Sequence, residues 1–244
     1  PNPGGGGPIT VAGSVVLGNA ECLLGLIIAQ LVNPGTPFIY GMNTAALDMK
    51  TTIVSYGSPE WSLGMASWTA LGHYYGLPIW GYAGATDSKE VDAQAGIEAT
   101  YSIMSAFLSR NTLVHDVGYI EFGSTSSMEM VVIADEIISM TRVLMGGLKV
   151  DANTLALEAT KRVRPGGGYI ADKHTLKNFR EAQWQPKIID RSYYDDWKEA
   201  GEMDMATRAN LRAREILTEH KVPPLPDQAE LVIKDILEER QADR

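Results

Sequence analysis

The sequence predicts an α/β protein built on a parallel sheet, with a purely helical region at its carboxyl end. Three observations carry that expectation. Strand-length apolar runs alternate with helix-length runs as far as Gly147, a pattern that requires parallel strands joined by right-handed crossovers. The stretch LPIWGYAGATDSKEVDAQAG, residues 77–96, reads as strand, small-residue polar loop and helix in succession. That layout sets reactive side chains at the carboxyl end of a parallel strand, where α/β barrels keep their active sites. Beyond Gly147 the strand-like runs stop and amphipathic helical segments follow.

In chain order, a helix over about 14–32 leads through Asn33-Pro34-Gly35 to a strand at Thr36–Tyr40, and Pro8–Val11 is a further strand candidate. Gly13–Val32 is apolar enough to raise a membrane span, but Asn19, Glu21 and Gln30 interrupt it, so a buried core helix is predicted. Ser58-Pro59-Glu60 starts the next helix, with Ser as cap and Pro at the first helical position, and Tyr75-Gly76 ends it. A strand at Pro78–Ala83, a helix over about 91–109, a strand at Thr112–Val117, a loop at Gly118–Thr125 and a helix over about 127–145 follow. Asp151 caps a helix to about 163, broken by the run Arg164 to Gly168. The last helices are predicted at about 172–182, 194–200, 204–220 and 227–240, with Pro223, Pro224 and Pro226 between the final two. Three or four strands do not close a barrel, so either the sheet is open or this is half of one.

Net charge is −9 and the pI near 5.0, which argues against a nucleic-acid surface or a polybasic membrane contact. The single cysteine, Cys22, lies in an apolar helical run and reads as a small core residue of a protein from the reducing cytoplasm. The start, PNPGGGGPIT, has no basic region of a signal peptide and no methionine, which suggests a processed piece or fragment.

The candidate site residues cluster at strand ends. Trp80 and Tyr82 are two apart on a strand and share a side, either lining a site or filling a core layer. Tyr40 ends its own strand. Asp87 and Lys89 fall just past a strand end, to orient a substrate or bind its carboxylate; alternatively Asp87 caps the next helix, for which Asp92 is the rival. His115 and Asp116 end the third strand, and Tyr119 and Glu121 follow it. Histidine titrates near neutral pH and can donate to a carboxylate. No HExxH, HxH or cysteine cluster marks a metal site. Gly4–Gly7 and Gly166–Gly168 lack the GxxxxGK[ST] pattern of a phosphate loop and read as flexible backbone.

The segments GGGGPITVAG, NAECLLGLIIAQLVNPGTPFIYG, SPEW, AGATDSKEVDAQAG, GYIEFGSTSSMEM, HTLKNF and WQPKIIDRSYYDDW occur in that order over nearly the whole chain. Together they resemble the trimethylamine methyltransferase family, corrinoid-dependent enzymes that demethylate tertiary and quaternary amines. The resemblance implies a (β/α)8 TIM barrel about twice this length, with this chain as its carboxyl-terminal half. Residues 1–147 would then be barrel and 148–244 a helical extension packed on it. It also implies methyl transfer to the Co(I) of a corrinoid. No cobalamin-binding DxHxxG pattern is present, so a cognate corrinoid protein would present the cofactor over the barrel mouth. In trimethylamine enzymes the loop after the strand matching Pro78–Ala83 carries a pyrrolysine, whereas Ala83–Lys89 here holds ordinary residues. That points to the non-pyrrolysine branch, acting on glycine betaine, proline betaine or carnitine. On this reading Asp87, His115 and Glu121 are the catalytic candidates, and Tyr40, Trp80, Tyr82, Lys89 and Tyr119 bind substrate. A cytoplasmic homo-oligomer is expected. The rival readings are a non-catalytic barrel subunit or fragment, a trimethylamine-type enzyme, and a metal-dependent lyase using Asp48, Asp87 and His115.

Overall fold

A computed structural model of the protein describes residues 1–242. Helix α1, Val11–Val32, starts where the Thr10 hydroxyl accepts the Gly13 N–H at 3.3 Å. Pro8–Val11 is therefore not a strand: the residues before the helix form a glycine turn with a bridge between Pro3 and Gly7. α1 is long and apolar enough to cross a membrane by length and composition. It is not the buried core helix that its sequence predicts. Only Ser14, Val15 and Gly18 are buried, while Val16, Leu24, Ile27, Ile28, Leu31 and Val32 face outward. The helix is apolar on every side, but α2 covers one side alone.

Tyr40 makes one parallel bridge to Ile79, which is all that forms of the strand expected at Thr36–Tyr40. Strands β1 (Ala46–Leu47) and β2 (Val54–Ser55) then pair as an antiparallel hairpin that the sequence does not announce. Helix α2, Pro59–Tyr75, opens on Ser58 and closes on Gly76 in the left-handed region (φ 67), as its punctuation predicts. Strand β3 is Trp80–Tyr82, and helix α3 is Ala93–Ser109. The α3 cap is Asp92, whose carboxylate accepts the Ala95 N–H at 2.9 Å, which leaves Asp87 free of that role. Strand β4, Leu113–His115, pairs in parallel with β3, with Trp80 beside Leu113 and Tyr82 beside His115. The expected loop at 118–125 is instead a small antiparallel hairpin of β5 (Tyr119–Ile120) and β6 (Thr125–Ser126). Helix α4, Met128–Gly146, is capped by Ser127.

The remainder is helical. The helix expected from Asp151 to 163 is two pieces, α5 (Ala152–Leu155) and α6 (Leu157–Val163), because Ala156 takes a left-handed conformation (φ 52) between them. They are followed by α7 (Lys173–Ala182), α8 (Tyr194–Glu199), α9 (Met205–Glu219) and α10 (Asp227–Ala242).

The protein is thus mixed α/β. Tyr40, β3 and β4 form one short parallel layer, and no closed barrel exists among the described residues. Helices α1 to α4 stand side by side, and the core beneath them is built on Tyr40, Trp61, Met65, Trp68, Ile79 and Tyr82. A second cluster, with Ala95, Met130, Ile133, Ile188 and Ala209, seats α9 against α4. Buried Glu136 of α4 fastens that seat, since one carboxylate oxygen accepts the N–H groups of Lys187, Ile188 and Ile189 at 2.8, 3.0 and 3.2 Å.

Candidate active site

Parallel pairing sends the chain out of Tyr40, β3 and β4 at the same end, and hydrogen bonds knit the three exits together. The Asp87 carboxylate takes the Ser55 hydroxyl and, at 2.8 Å, the Tyr56 N–H, tying the loop after β3 to the β1–β2 hairpin. Thr86 N–H donates to Tyr119 O at 3.0 Å and Glu121 N–H to Ser88 O at 2.7 Å, tying it to the β5–β6 hairpin. Glu98 of α3 holds the loop from behind, accepting the Thr86 hydroxyl at 2.5 Å and the Asp87 N–H at 2.8 Å.

A cavity of about 310 Å³ opens at this end, lined by Ile39, Gly41, Met42, Asn43, Trp80, Tyr82 and His115. Its aromatic wall is built in layers. The Tyr82 ring stacks flat on Trp61, centroids 4.0 Å apart, and meets Trp68 edge-on at 4.9 Å. Its hydroxyl lies 3.2 Å from Thr44 Oγ1 and donates to Trp61 O at 3.3 Å. Burial pushes that phenol far above its ordinary pKa, so it stays neutral. Two glycines make the layering possible. A Cβ on Gly64 would strike Thr44 Oγ1, and one on Gly41 would lie 2.7 Å from Trp80 O. Trp80 lines the cavity and remains 47% exposed.

The His115 ring centroid lies 5.2 Å from that of Trp80 and 6.4 Å from that of Tyr82, the latter pair edge to face. Its Nδ1 lies 2.6 Å from a carboxylate oxygen of Asp116, whose side chain is only 13% exposed. Burial raises the Asp116 pKa, and the neighbouring His115 opposes the rise. Asp116 also occupies the left-handed region (φ 76), where a residue other than glycine costs energy and marks a constrained position.

Of the residues expected from the sequence, Trp80, Tyr82 and His115 come together. Tyr40 does not join them: it is fully buried on the α1–α2 side, donates to Asn19 Oδ1 at 2.7 Å, and meets Tyr75 edge-on. Asp87, Lys89, Tyr119 and Glu121 lie in the knitted loops at the same end without lining the cavity. Lys89 Nζ donates to Asp87 O at 2.8 Å and lies 5.5 Å above the Phe122 ring, and Glu121 accepts the Ser124 hydroxyl at 2.6 Å. Asp48 turns inward on its hairpin, accepting the Lys50 N–H at 2.8 Å. No group of three or more metal-ligating side chains occurs among the described residues. Sequence reading missed Asn43, which accepts the Trp61 indole N–H at 3.3 Å, and Trp61 itself, which lies on a helix far from any strand end. Asp116 was legible only as the neighbour of a strand-end histidine.

Comparison with known proteins places the sequence among methyltransferases. The chain is 36% identical to a glycine betaine methyltransferase of Desulfitobacterium hafniense (strain Y51) over 238 residues, 97% of this chain and 50% of that protein. It is 37% identical to trimethylamine methyltransferase MttB2 of Methanosarcina mazei over 239 residues, 98% of this chain and 47% of that protein. Trimethylamine methyltransferase MttB of Methanosarcina barkeri (strain Fusaro) is 36% identical over 239 residues, 98% of this chain and 47% of its own length. The chain thus spans about half the length of the curated relatives it matches. With the family profile matching residues 3–244, the chain belongs to the trimethylamine methyltransferase (MTTB) family.

Proposed function

We propose that this chain carries the amine-binding part of a methyltransferase that moves a methyl group from a quaternary amine of the glycine betaine kind to a corrinoid held by a partner protein. The observation that carries the reading is the meeting of Trp80, Tyr82 and His115 around one cavity at the carboxyl ends of parallel strands. A quaternary nitrogen keeps the electron pair of the broken C–N bond and leaves as a neutral tertiary amine, so no proton has to be supplied. The protein's work is to strip water from the cation, hold it and aim one methyl outward. Aromatic faces suit that cation, at about 0.5–2 kcal/mol per contact. The corrinoid, when presented, supplies a reduced cobalt nucleophile that accepts the methyl. The half-exposed Trp80 leaves the cavity open toward such a partner.

The parallel layer of Tyr40, β3 and β4 fits one part of a (β/α)8 barrel completed by further chain, with residues 1–147 as barrel and 148–244 as helical extension. The uncovered side of α1 and the free edges of the layer are the surfaces that completion would hide. Asp87, Lys89, Tyr119 and Glu121 then form a rim that shapes the mouth. A cytoplasmic setting and assembly into a homo-oligomer belong to the same proposal. Glycine betaine is favoured over trimethylamine because Ala83–Lys89 holds ordinary residues and because one relative carries that name.

The test is methylation of reduced cobalamin by the two amines side by side. Glycine betaine should turn over faster, and Trp80→Ala should lower kcat/KM by a factor corresponding to roughly 1–2 kcal/mol, the scale of a desolvated cation–π contact. Faster turnover of trimethylamine, or an unimpaired Trp80→Ala, would sink the reading.

A further inference from the structure

Two side chains were open to receive the acid end of a betaine, and the structure separates them. Lys89 is engaged by Asp87 O and Phe122 and stays outside the cavity. His115 lines the cavity, and only its Nδ1 edge is occupied. We infer that His115 and Asp116 form a carboxylate-receiving subsite, with Asp116 as the positioning residue that holds the Nδ1 proton and turns Nε2 toward the ligand. The inference rests on the betaine reading above and names which end of the molecule meets which residue.

The argument is one of charge and geometry. The Nδ1 to Asp116 contact is 2.6 Å, shorter than the usual length of about 2.7–2.9 Å for a charge-assisted N–H···O bond, and it occupies one side of the ring. A second proton on Nε2 makes an imidazolium whose charge Asp116 balances. That N–H then points away from Asp116, as the geometry of a five-membered ring demands, and is available to a ligand carboxylate. The ammonium end falls on Trp80, 5.2 Å from the same imidazole, a separation that one betaine bridges. The strained backbone of Asp116 belongs to this design. Its left-handed conformation sets the carboxylate beside its own neighbour's ring, where an extended residue would alternate to the opposite face of the strand.

The test follows the histidine ring directly. In the protein labelled with ¹⁵N-histidine and ¹⁵N-tryptophan, with His115→Gln and Trp80→Phe assigning the signals, acetate and tetramethylammonium are titrated separately. Acetate should shift His115 Nε2, and tetramethylammonium should shift the Trp80 indole N–H. Asp116→Asn keeps a residue that tolerates the left-handed region. It should move the proton from Nδ1 to Nε2 in the ligand-free ring and weaken acetate binding at least fivefold. Its kcat/KM should fall at least tenfold more for glycine betaine than for choline, with the loss in KM. An unmoved His115 on adding acetate to the wild type overturns the inference, as does an Asp116→Asn protein with unchanged tautomer and acetate response. A response to acetate without one to tetramethylammonium would instead remove the aromatic cation site and leave the subsite standing.

Discussion

One carboxylate on α3, Glu98, fixes the loop that follows β3. It accepts the Thr86 hydroxyl and the Asp87 N–H, and that contact in turn places the Asp87 carboxylate against Ser55 and Tyr56. Removing it leaves the Asp87 N–H without an acceptor and the buried Thr86 hydroxyl, which still accepts the Ser88 N–H, with no acceptor for its own proton, at a cost on the order of 1–3 kcal/mol. Glu98→Ala is therefore expected to lower stability by that amount and to speed amide exchange at Asp87; exchange unchanged from wild type would show the loop to be held otherwise. At this scale the sequence is legible where the cause is local. Alternation on a strand puts Trp80 and Tyr82 on one side, and the structure gathers both at the cavity. The partners of Asp87 lie 31 and 32 residues away in sequence, and nothing in the chain near Asp87 points to them.

Among the elements, helix starts are the most readable features, since a cap and the N–H it satisfies lie within three residues. Ser58, Asp92, Ser127, Asp172 and Asp204 all cap as side-chain acceptors. The two hairpins escape because each strand is two residues long, too short for alternation to show. The joint between α6 and α7 has a pH signature. Arg162 grips Asp172 through two nitrogens at 2.9 and 2.7 Å and draws its carboxyl down to about 2. A carboxylate depressed in the folded state stabilises fully above its ordinary range, near 4, and loses that contribution as pH falls through the folded value. The α6–α7 joint should thus be indifferent to pH above about 5 and loosen between about 4 and 2. Carboxyl NMR of Asp172 checks this, and Arg162→Met should raise its midpoint toward the ordinary value; a midpoint that stays put would refute the pairing.

Across the whole molecule, Glu136 joins the carboxyl-terminal helices to the sheet-bearing part. Glu136→Ala would strand three N–H groups, and a loss of about 2–4 kcal/mol is expected. Limited proteolysis should then cut first near residues 183–190, whereas a first cut between β3 and β4 would show that the stitch matters little. The sequence reveals three parallel segments and their order, but not that the first shrinks to one bridged residue at a sheet edge, nor that α1 keeps one side uncovered. Both depend on what lies beside an element, which periodicity within that element does not encode. The contact between Trp80 and His115 also has an optical consequence. Imidazolium quenches indole emission at close range, so the charge on one ring sets the brightness of the other. Trp61 and Trp68 are fully buried, which sets their emission toward the blue, whereas Trp184 and Trp197 are partly exposed like Trp80, so the difference spectrum between the wild type and Trp80→Phe isolates the Trp80 contribution. The cavity therefore carries its own fluorophore, and occupancy and protonation can be followed by light in the native protein without any attached dye.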